Sequence, residues 1–223
     1  MCREVSDAVA SVPGVSTPGR LLALEGGEGA GKSTLAAALA AWAREVGWAV
    51  TLTREPGGTD VGQRIRELLL DRGAGPSPRA EALLYAADRA DHVDAVLRPA
   101  LAGGQLVICD RYQDSSIAYQ GAGRALDAGE VAALSGWATD GLVPALTVLL
   151  DIEPAVGLAR AGRRSSADRL EAESLGFHRR VRKAFLSLAD AEPDRYLVLA
   201  ATDPVAELVD AVTDRLASLG WRS

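Results

Sequence analysis

The sequence predicts an α/β protein built on a five-stranded parallel sheet with helices on both faces. Five short apolar runs are separated by longer stretches of helical periodicity. The runs are close to apolar throughout rather than alternating, as strands buried on both faces are. The first run ends in a glycine-rich turn that opens a helix, which is how such sheets present ligands beyond the carboxyl ends of their strands.

The elements follow in order. Residues 1–19 (MCREVSDAVASVPGVSTPG) carry no sustained periodicity and end in Pro, Gly, Ser and Thr, so a flexible N-terminal extension is expected. They lack the basic start and apolar stretch of a secretory signal. Residues 20–223 are expected to form a single domain. Its strands are Arg20–Glu25, Trp48–Thr53, Gly104–Cys109, Ala145–Leu150 and Arg195–Leu199. Leu35, Leu39, Trp42 and Val46 recur at helical spacing after the first strand. Further helices are expected over Val61–Leu70, Arg79–Leu101, Ala128–Thr139, Asp168–Ala191 and Pro204–Leu219.

Composition narrows the class. Hydrophobic residues make up 48% and charged residues 24% of the 223, the balance of a soluble globular chain. No apolar run reaches the roughly 18 to 20 residues of a membrane span. A net charge of −6 argues against a nucleic-acid or membrane-surface footprint. Cys2 and Cys109 form no CxxC or metal pattern, and Cys109 lies in an apolar run, so a buried free thiol and a reducing cytoplasmic setting are expected. The 24 basic residues include only two lysines, Lys32 and Lys183. A lysine in a loop where an ammonium differs from a guanidinium is therefore informative.

Lys32 lies in Gly26-Gly27-Glu28-Gly29-Ala30-Gly31-Lys32-Ser33, which fits GxxxxGK[ST]. Glycines let the backbone curl with its N–H groups around phosphate oxygens, and the helix dipole adds positive potential. Lys32 reaches the outer phosphates, and the Ser33 hydroxyl suits Mg²⁺. With Thr34 next in the chain, the loop is expected to bind a nucleoside triphosphate, and the sheet to form the three-layer fold of P-loop NTPases. Arginines stand at or beyond successive strand ends: Arg54, Arg111, and then Arg160, Arg163 and Arg164. Such clamps suit a kinase whose acceptor is itself phosphorylated, because two polyanions must be held together.

Three further stretches carry a resemblance: Thr53-Arg-Glu-Pro-Gly-Gly-Thr59, Leu83-Leu-Tyr-Ala-Ala-Asp-Arg89 and Asp110-Arg-Tyr-Gln-Asp-Ser-Ser-Ile-Ala-Tyr-Gln-Gly121. With the glycine loop and Asp168-Arg-Leu-Glu171, the chain from about Arg20 to near its C-terminus resembles bacterial-type thymidylate kinases. The resemblance implies transfer of the ATP γ-phosphoryl group to dTMP, Mg²⁺ as cofactor and a homodimer. It implies catalytic roles for Lys32 and Arg111, with a mobile lid at about 160–169 supplying Arg164 or Arg163, of which Arg164 is favoured. Gly29 stands where the other type of the family carries a loop arginine. Arg160 is implied at the ATP. Asp110 joins Ser33 at the metal, directly or through water.

On the acceptor side the resemblance implies Glu28 at the sugar 3′-hydroxyl and Arg54 and Arg111 near the phosphate, with Pro56 also among the substrate-binding residues. Ser116, Tyr119 and Gln120 line the base and deoxyribose, with Tyr119 as the gate against a ribose 2′-hydroxyl. Tyr85 and Arg89, four apart on a helix, share a face and suit a pyrimidine by stacking and donation. Tyr85 occupies the place where the family usually has Phe. His92 and His178 are expected to be surface or packing residues, since a phosphate acceptor needs no general base. A kinase for another nucleoside monophosphate and an ATP-driven switch are the competing readings.

Overall fold

The computed structural model describes residues 19–71, 73, 75–163 and 168–221. Five parallel strands run β1 (Arg20–Gly26), β2 (Val50–Arg54), β3 (Leu106–Asp110), β4 (Leu146–Asp151) and β5 (Tyr196–Ala200), in the order β2-β3-β1-β4-β5. Four of the five strands begin one or two residues later than expected from sequence. All five end one residue later, which carries Gly26, Arg54, Asp110 and Asp151 to the ligand-side rim. Leu24 is in register with Asp110, Arg54 with Asp110, and Gly26 with Leu150. β2 and β3 therefore end level with each other, while β1 and β4 run about two to three residues further toward the site.

Period-two alternation divides the core. Leu22 and Leu24 of β1 join Leu106, Ile108, Leu146 and Val148 on one face. There they meet α1 (Lys32–Glu45) through Leu35 and Leu39, and α9 (Val205–Ser218) through Leu208, Val212 and Leu216. Leu21, Ala23, Val107 and Cys109 point to the other face, against Val93, Leu97 and Tyr112. Beside them Leu149 packs with Phe177, Val181 and Phe185 of α8 (Leu175–Ala191). Val46 lies beyond the end of α1 and is exposed, so the expected apolar face of that helix stops at Trp42.

The helices between these layers frame the site. α2 (Asp60–Leu70) is capped by the Thr59 hydroxyl, which accepts from Gly62 N. The long helix expected over Arg79–Leu101 is α3 (Pro78–His92), a π-helical turn Val93–Leu97 and α4 (Arg98–Ala102). The short α5 (Gln113–Ser116) and a second π-helical segment, Ile117–Gly123, carry the DRYxxSxxAYQG run and were not expected as helix. α6 (Ala128–Ala138) and α7 (Pro154–Ala161) complete the set.

One expected boundary is corrected. The helix predicted over Asp168–Ala191 begins only at Leu175. Asp168 Oδ1 accepts from Leu170 N and Glu171 N, folding a separate turn, and the Ser174 side chain caps α8 by accepting from Phe177 N. Gly19 N donates to Leu101 O, which joins that residue to the domain; the rest of the expected extension, residues 1–18, lies outside the described residues. Among the described residues, no helix is long and apolar enough to cross a membrane.

Candidate active site

The glycine loop leaves β1 with φ of +140° at Gly26, +67° at Gly29 and +90° at Gly31. These are conformations L side chains rarely adopt. Space enforces the choice at Gly29, where an added Cβ would stand 2.0 Å from the Gly157 carbonyl oxygen. Helix α1 starts at Lys32 with no side-chain cap, leaving the N–H groups of its first turn for an anion. Lys32 Nζ donates to the carbonyls of Gly26 and Gly27 at 3.1 and 2.9 Å. Burial, and then the nearby Arg111 cation, lower its affinity for a proton. Ala30 is buried in the core, while Ser33 and Thr34 are exposed. Ser33 Oγ donates to Asp110 Oδ2 at 2.7 Å, placing a hydroxyl and a carboxylate side by side at the mouth of the loop.

Arg111 follows Asp110 in the left-handed region, with φ of +71°. For a non-glycine residue that is a strained conformation, held here by Arg111 N donating to Leu24 O. The conformation turns the guanidinium back over the loop. Nη1 donates to Gly26 O at 3.0 Å and Ser115 Oγ at 3.2 Å; Nη2 donates to Glu28 Oε1 at 2.7 Å and the Tyr119 hydroxyl at 3.2 Å. The Tyr119 hydroxyl in turn donates to Glu28 Oε1 at 2.7 Å. Burial acts to raise the Glu28 carboxyl, but Arg111, Lys32 and the Tyr119 bond outweigh it and hold it down at about 2.

Beside the loop lies a cavity of about 210 Å³, and the two share Glu28, Lys32, Ser33 and Glu171 as walls. Tyr85, Arg89, Ser116, Tyr119, Gln120 and Pro56 also line this cavity, with Arg54 at its edge. Arg89 is 1% exposed and fixed: Nε donates to Glu55 Oε2 at 2.8 Å, Nη1 to Ser116 Oγ and Ser135 Oγ, and Nη2 to Tyr112 O. Four of its five N–H groups are thus engaged, which leaves one for a ligand. Burial pushes the Tyr85 hydroxyl well above the usual phenol range, so Tyr85 stays neutral beside a base. The Tyr119 ring is wedged edge-on between Phe177 and Phe185, with centroids at 6.1 and 6.2 Å. Arg54 is exposed and, among the described residues, its side chain makes no hydrogen bond or ion pair.

The basic segment after β4 is only partly brought to the site. Arg160 sits on α7 and donates to Ala201 O at 2.9 Å, and it is not among the lining residues of either cavity, though its neighbour Ala161 lines the one at the loop. Arg163 is exposed beyond the end of α7, and Arg164 lies outside the described residues. Asp168, Leu170 and Glu171 return to the cavity wall.

Sequence reasoning missed several groups. Glu25, fully buried in β1, accepts from Tyr112 N, Ser115 N and Ser115 Oγ at 2.8, 3.1 and 2.6 Å. It therefore anchors the turn that carries Arg111. Burial and then Asp114 push its carboxyl up to about 7. A charged residue at the end of an apolar strand was the signal for it. Glu55 pairs with Arg89 and with His92 Nδ1, whose Nε2 bonds Thr53 Oγ1. Glu55, His92 and Cys109 present ligand atoms within 4.8 Å of one another. Each is already engaged, Cys109 Sγ with Arg111 O, so the cluster is a hydrogen-bonded core. His178 is buried as well, which makes both histidines packing residues. Glu81, Arg124 and Arg169 form a further charged cluster behind Gln120.

Comparison with known proteins agrees with this geometry. The thymidylate kinase family model matches residues 24–212. The thymidylate kinase of Leifsonia xyli subsp. xyli is 59% identical over 193 residues, covering 86% of this chain and 91% of that one. That of Deinococcus radiodurans is 57% identical over 184 residues, covering 82% and 89%. The crystal structure of thymidylate kinase from Ehrlichia chaffeensis superposes with a TM-score of 0.73 at 30% identity, over 88% of this chain and 99% of that one. The chain belongs to the thymidylate kinase family.

Proposed function

We propose that this protein transfers the γ-phosphoryl group of ATP to dTMP, giving ADP and dTDP. The observation that carries the reading is the shared wall of the two cavities. Glu28, Lys32 and Ser33 belong both to the phosphate loop and to the pocket of Tyr85, Arg89 and Gln120, so donor and acceptor phosphates meet there.

The acceptor oxygen is already ionised near neutral pH, so the residues need supply no general base. What they supply is alignment and positive charge. Lys32 leaves the Gly26 and Gly27 carbonyls for the donor phosphates. Arg111 bridges loop and acceptor, exchanging Glu28 for phosphate oxygens, and Arg54 reaches the acceptor phosphate from the β2 end. Glu28, freed from Arg111, accepts from the sugar 3′-hydroxyl, and the Tyr119 ring closes the space beside the 2′-carbon. Tyr85 stacks on the base while the remaining Arg89 donor addresses a ring carbonyl. Arg163 or Arg164 enters from the segment at about 160–169, with Arg160 at the nucleotide.

Ser33 Oγ and Asp110 Oδ2, hard oxygen donors 2.7 Å apart at the loop mouth, suit Mg²⁺, which takes few protein ligands and completes its shell with water and phosphate. Bound there, the ion would neutralise charge on the transferring phosphoryl group. We further propose a homodimer. Val61 and Leu68 of α2, Leu83 of α3 and Trp137 of α6 are 51, 60, 57 and 80% exposed, on helices that pack side by side. The buried Cys109 thiol supports a reducing, cytoplasmic setting.

The test is a turnover panel with ATP and dTMP, dCMP, AMP and UMP. Turnover dominated by dTMP is expected. Dominant turnover of AMP or dCMP would overturn the acceptor, and ATP hydrolysis indifferent to every nucleotide would overturn the transfer.

A further inference from the structure

Behind the acceptor cavity a single carboxylate gathers three elements. Glu81 of α3 has a fully buried side chain. Its Oε1 accepts from Gln120 Nε2 at 2.8 Å. Arg124, just past the second π-helical segment, donates Nε to both carboxylate oxygens at 3.2 Å, and Arg169 Nη2 donates to Oε2 at 2.5 Å. Arg169 is itself fixed by donating Nε to Leu69 O at 2.9 Å, and Arg124 by its Nη1 bond to Glu173.

Two guanidiniums on one buried carboxylate keep it ionised. Burial works against the charge, but the Gln120, Arg124 and Arg169 bonds outweigh it and hold Glu81 below the usual carboxylate range. An ionised carboxylate is acceptor only, so Gln120 must turn an N–H toward it; the flipped amide would set oxygen against oxygen. The amide oxygen is then the free end. Among the described residues Gln120 Oε1 has no partner, and it is not one of the sealed, unpaired buried atoms. Since Gln120 lines the cavity, that oxygen opens on it.

We propose that Glu81 is a specificity-positioning residue: with Arg124 and Arg169 it fixes the polarity of the Gln120 amide, so that the cavity offers an acceptor and selects a pyrimidine carrying an N3–H over one with an N3 lone pair. This rests on the dTMP reading above. Thymine carries that N3–H; cytosine does not. A pocket acceptor facing a second lone pair leaves both unpaired in a desolvated site, which is where discrimination is largest.

The experiment compares dTMP and dCMP as acceptors for the wild type, Glu81→Gln and Glu81→Asp. Glu81→Gln leaves a neutral partner that accepts either face of the Gln120 amide. The dTMP-to-dCMP ratio of kcat/KM is expected to narrow by about tenfold. The change should fall mainly in the dTMP KM, with the KM for ATP unchanged. Glu81→Asp keeps the charge and should restore part of the ratio. If the Glu81 variants fail to fold, Arg169→Gln keeps the carboxylate and one counter-charge, and should narrow the ratio in the same direction by less. Gln120→Met should narrow it fully, and adding Glu81→Gln to it should narrow it no further. A ratio unchanged in Glu81→Gln or, where that does not fold, in Arg169→Gln, or equal losses with both acceptors, overturns the proposal. A wild type that does not prefer dTMP to dCMP overturns the acceptor reading instead.

Discussion

Arg111 and Glu28 stand 2.7 Å apart across the junction of the two cavities, joined a second time through the Tyr119 hydroxyl. A carboxylate beside a triphosphate loop is repulsive unless a cation or a hydroxyl donor holds it, and this arrangement provides both. It also fixes the guanidinium over the phosphate loop, through Gly26 O as well as Glu28.

Removing the cation should therefore cost turnover more than affinity. Arg111→Ala is expected to lower kcat by about a hundredfold or more, the usual loss for a group that binds charge developing in transfer. Steady-state kinetics with dTMP and ATP would check it, and an unaltered kcat refutes the role. Arg111→Lys should be nearly as damaging, because one ammonium cannot replace two forked contacts.

Tyr119 has two separable contributions. Tyr119→Ala should narrow the preference for dTMP over UMP, but it also empties a site between Phe177 and Phe185. Truncating a buried aromatic costs about 3–5 kcal/mol, so thermal stability must be measured alongside. Tyr119→Phe keeps the ring and deletes only the hydroxyl's two bonds, the one donated to Glu28 and the one accepted from Arg111. It should retain the sugar preference and stability, with a loss in turnover smaller than that of Arg111→Ala. A sugar preference lost in Tyr119→Phe would move the gate from ring to hydroxyl.

The two loop carboxylates respond to pH with opposite sign. Glu25 is raised in the fold from 4.5 to about 7, so the folded state holds its proton where the unfolded chain has lost it. Stability from this group is complete below 4.5 and drains away as pH rises to about 7. Glu25→Gln can still serve Tyr112 N and Ser115 and should raise Tm above that range while matching the wild type in acid. Glu28, lowered from 4.5 to about 2, contributes above 4.5 and loses its share as pH falls toward about 2. Glu28→Gln should flatten the acid limb of the same Tm-versus-pH curve. Identical curves for all three proteins would remove both assignments.

Gly157 is the least conspicuous requirement of the loop. A Cβ there would meet the Glu28 carbonyl oxygen at 2.2 Å. Gly157→Ala should force α7 and the loop apart and raise the KM for ATP by about tenfold or more, an effect typical of a small displacement at a positioning group. Isothermal titration with dTMP alone should be affected less, because the bonds that fix Arg89 and Gln120 run to Glu55, Tyr112, Ser116, Ser135 and Glu81, none of them on α7. Equal weakening of both nucleotides would mean general destabilisation.

The metal reading has its own check. Asp110→Asn and Ser33→Ala should each raise the Mg²⁺ concentration needed for half-maximal turnover, and a chelator should abolish turnover reversibly. Activity that survives chelation would remove the ion from the proposed function.

Legibility followed range of interaction. The strands and the glycine loop were readable because their signals are local: apolar runs, glycines needed for positive φ, a lysine where arginine is the default. The Tyr85–Arg89 face was readable for the same reason, since a helix fixes four-residue neighbours. The bond of Arg160 to the Ala201 carbonyl was not legible, because that partner comes from the far end of the chain. The start of α8 misled because Asp168 and Ser174 each bond backbone a few residues on, so apolar periodicity ran through a turn. Glu25, Glu55 and Glu81 are pinned by residues 30 to 90 positions away, and no spacing in the sequence reports that.

The close approach of Gly29 and Gly157 also limits the routes open to this chain over evolutionary time. An arginine cannot be installed at position 29 by one substitution, because the first carbon of its side chain would overlap the backbone of α7. Recruiting a cation from the loop would first require that helix to withdraw. Until then, any extra positive charge for the donor phosphates has to be delivered from elsewhere in the polypeptide.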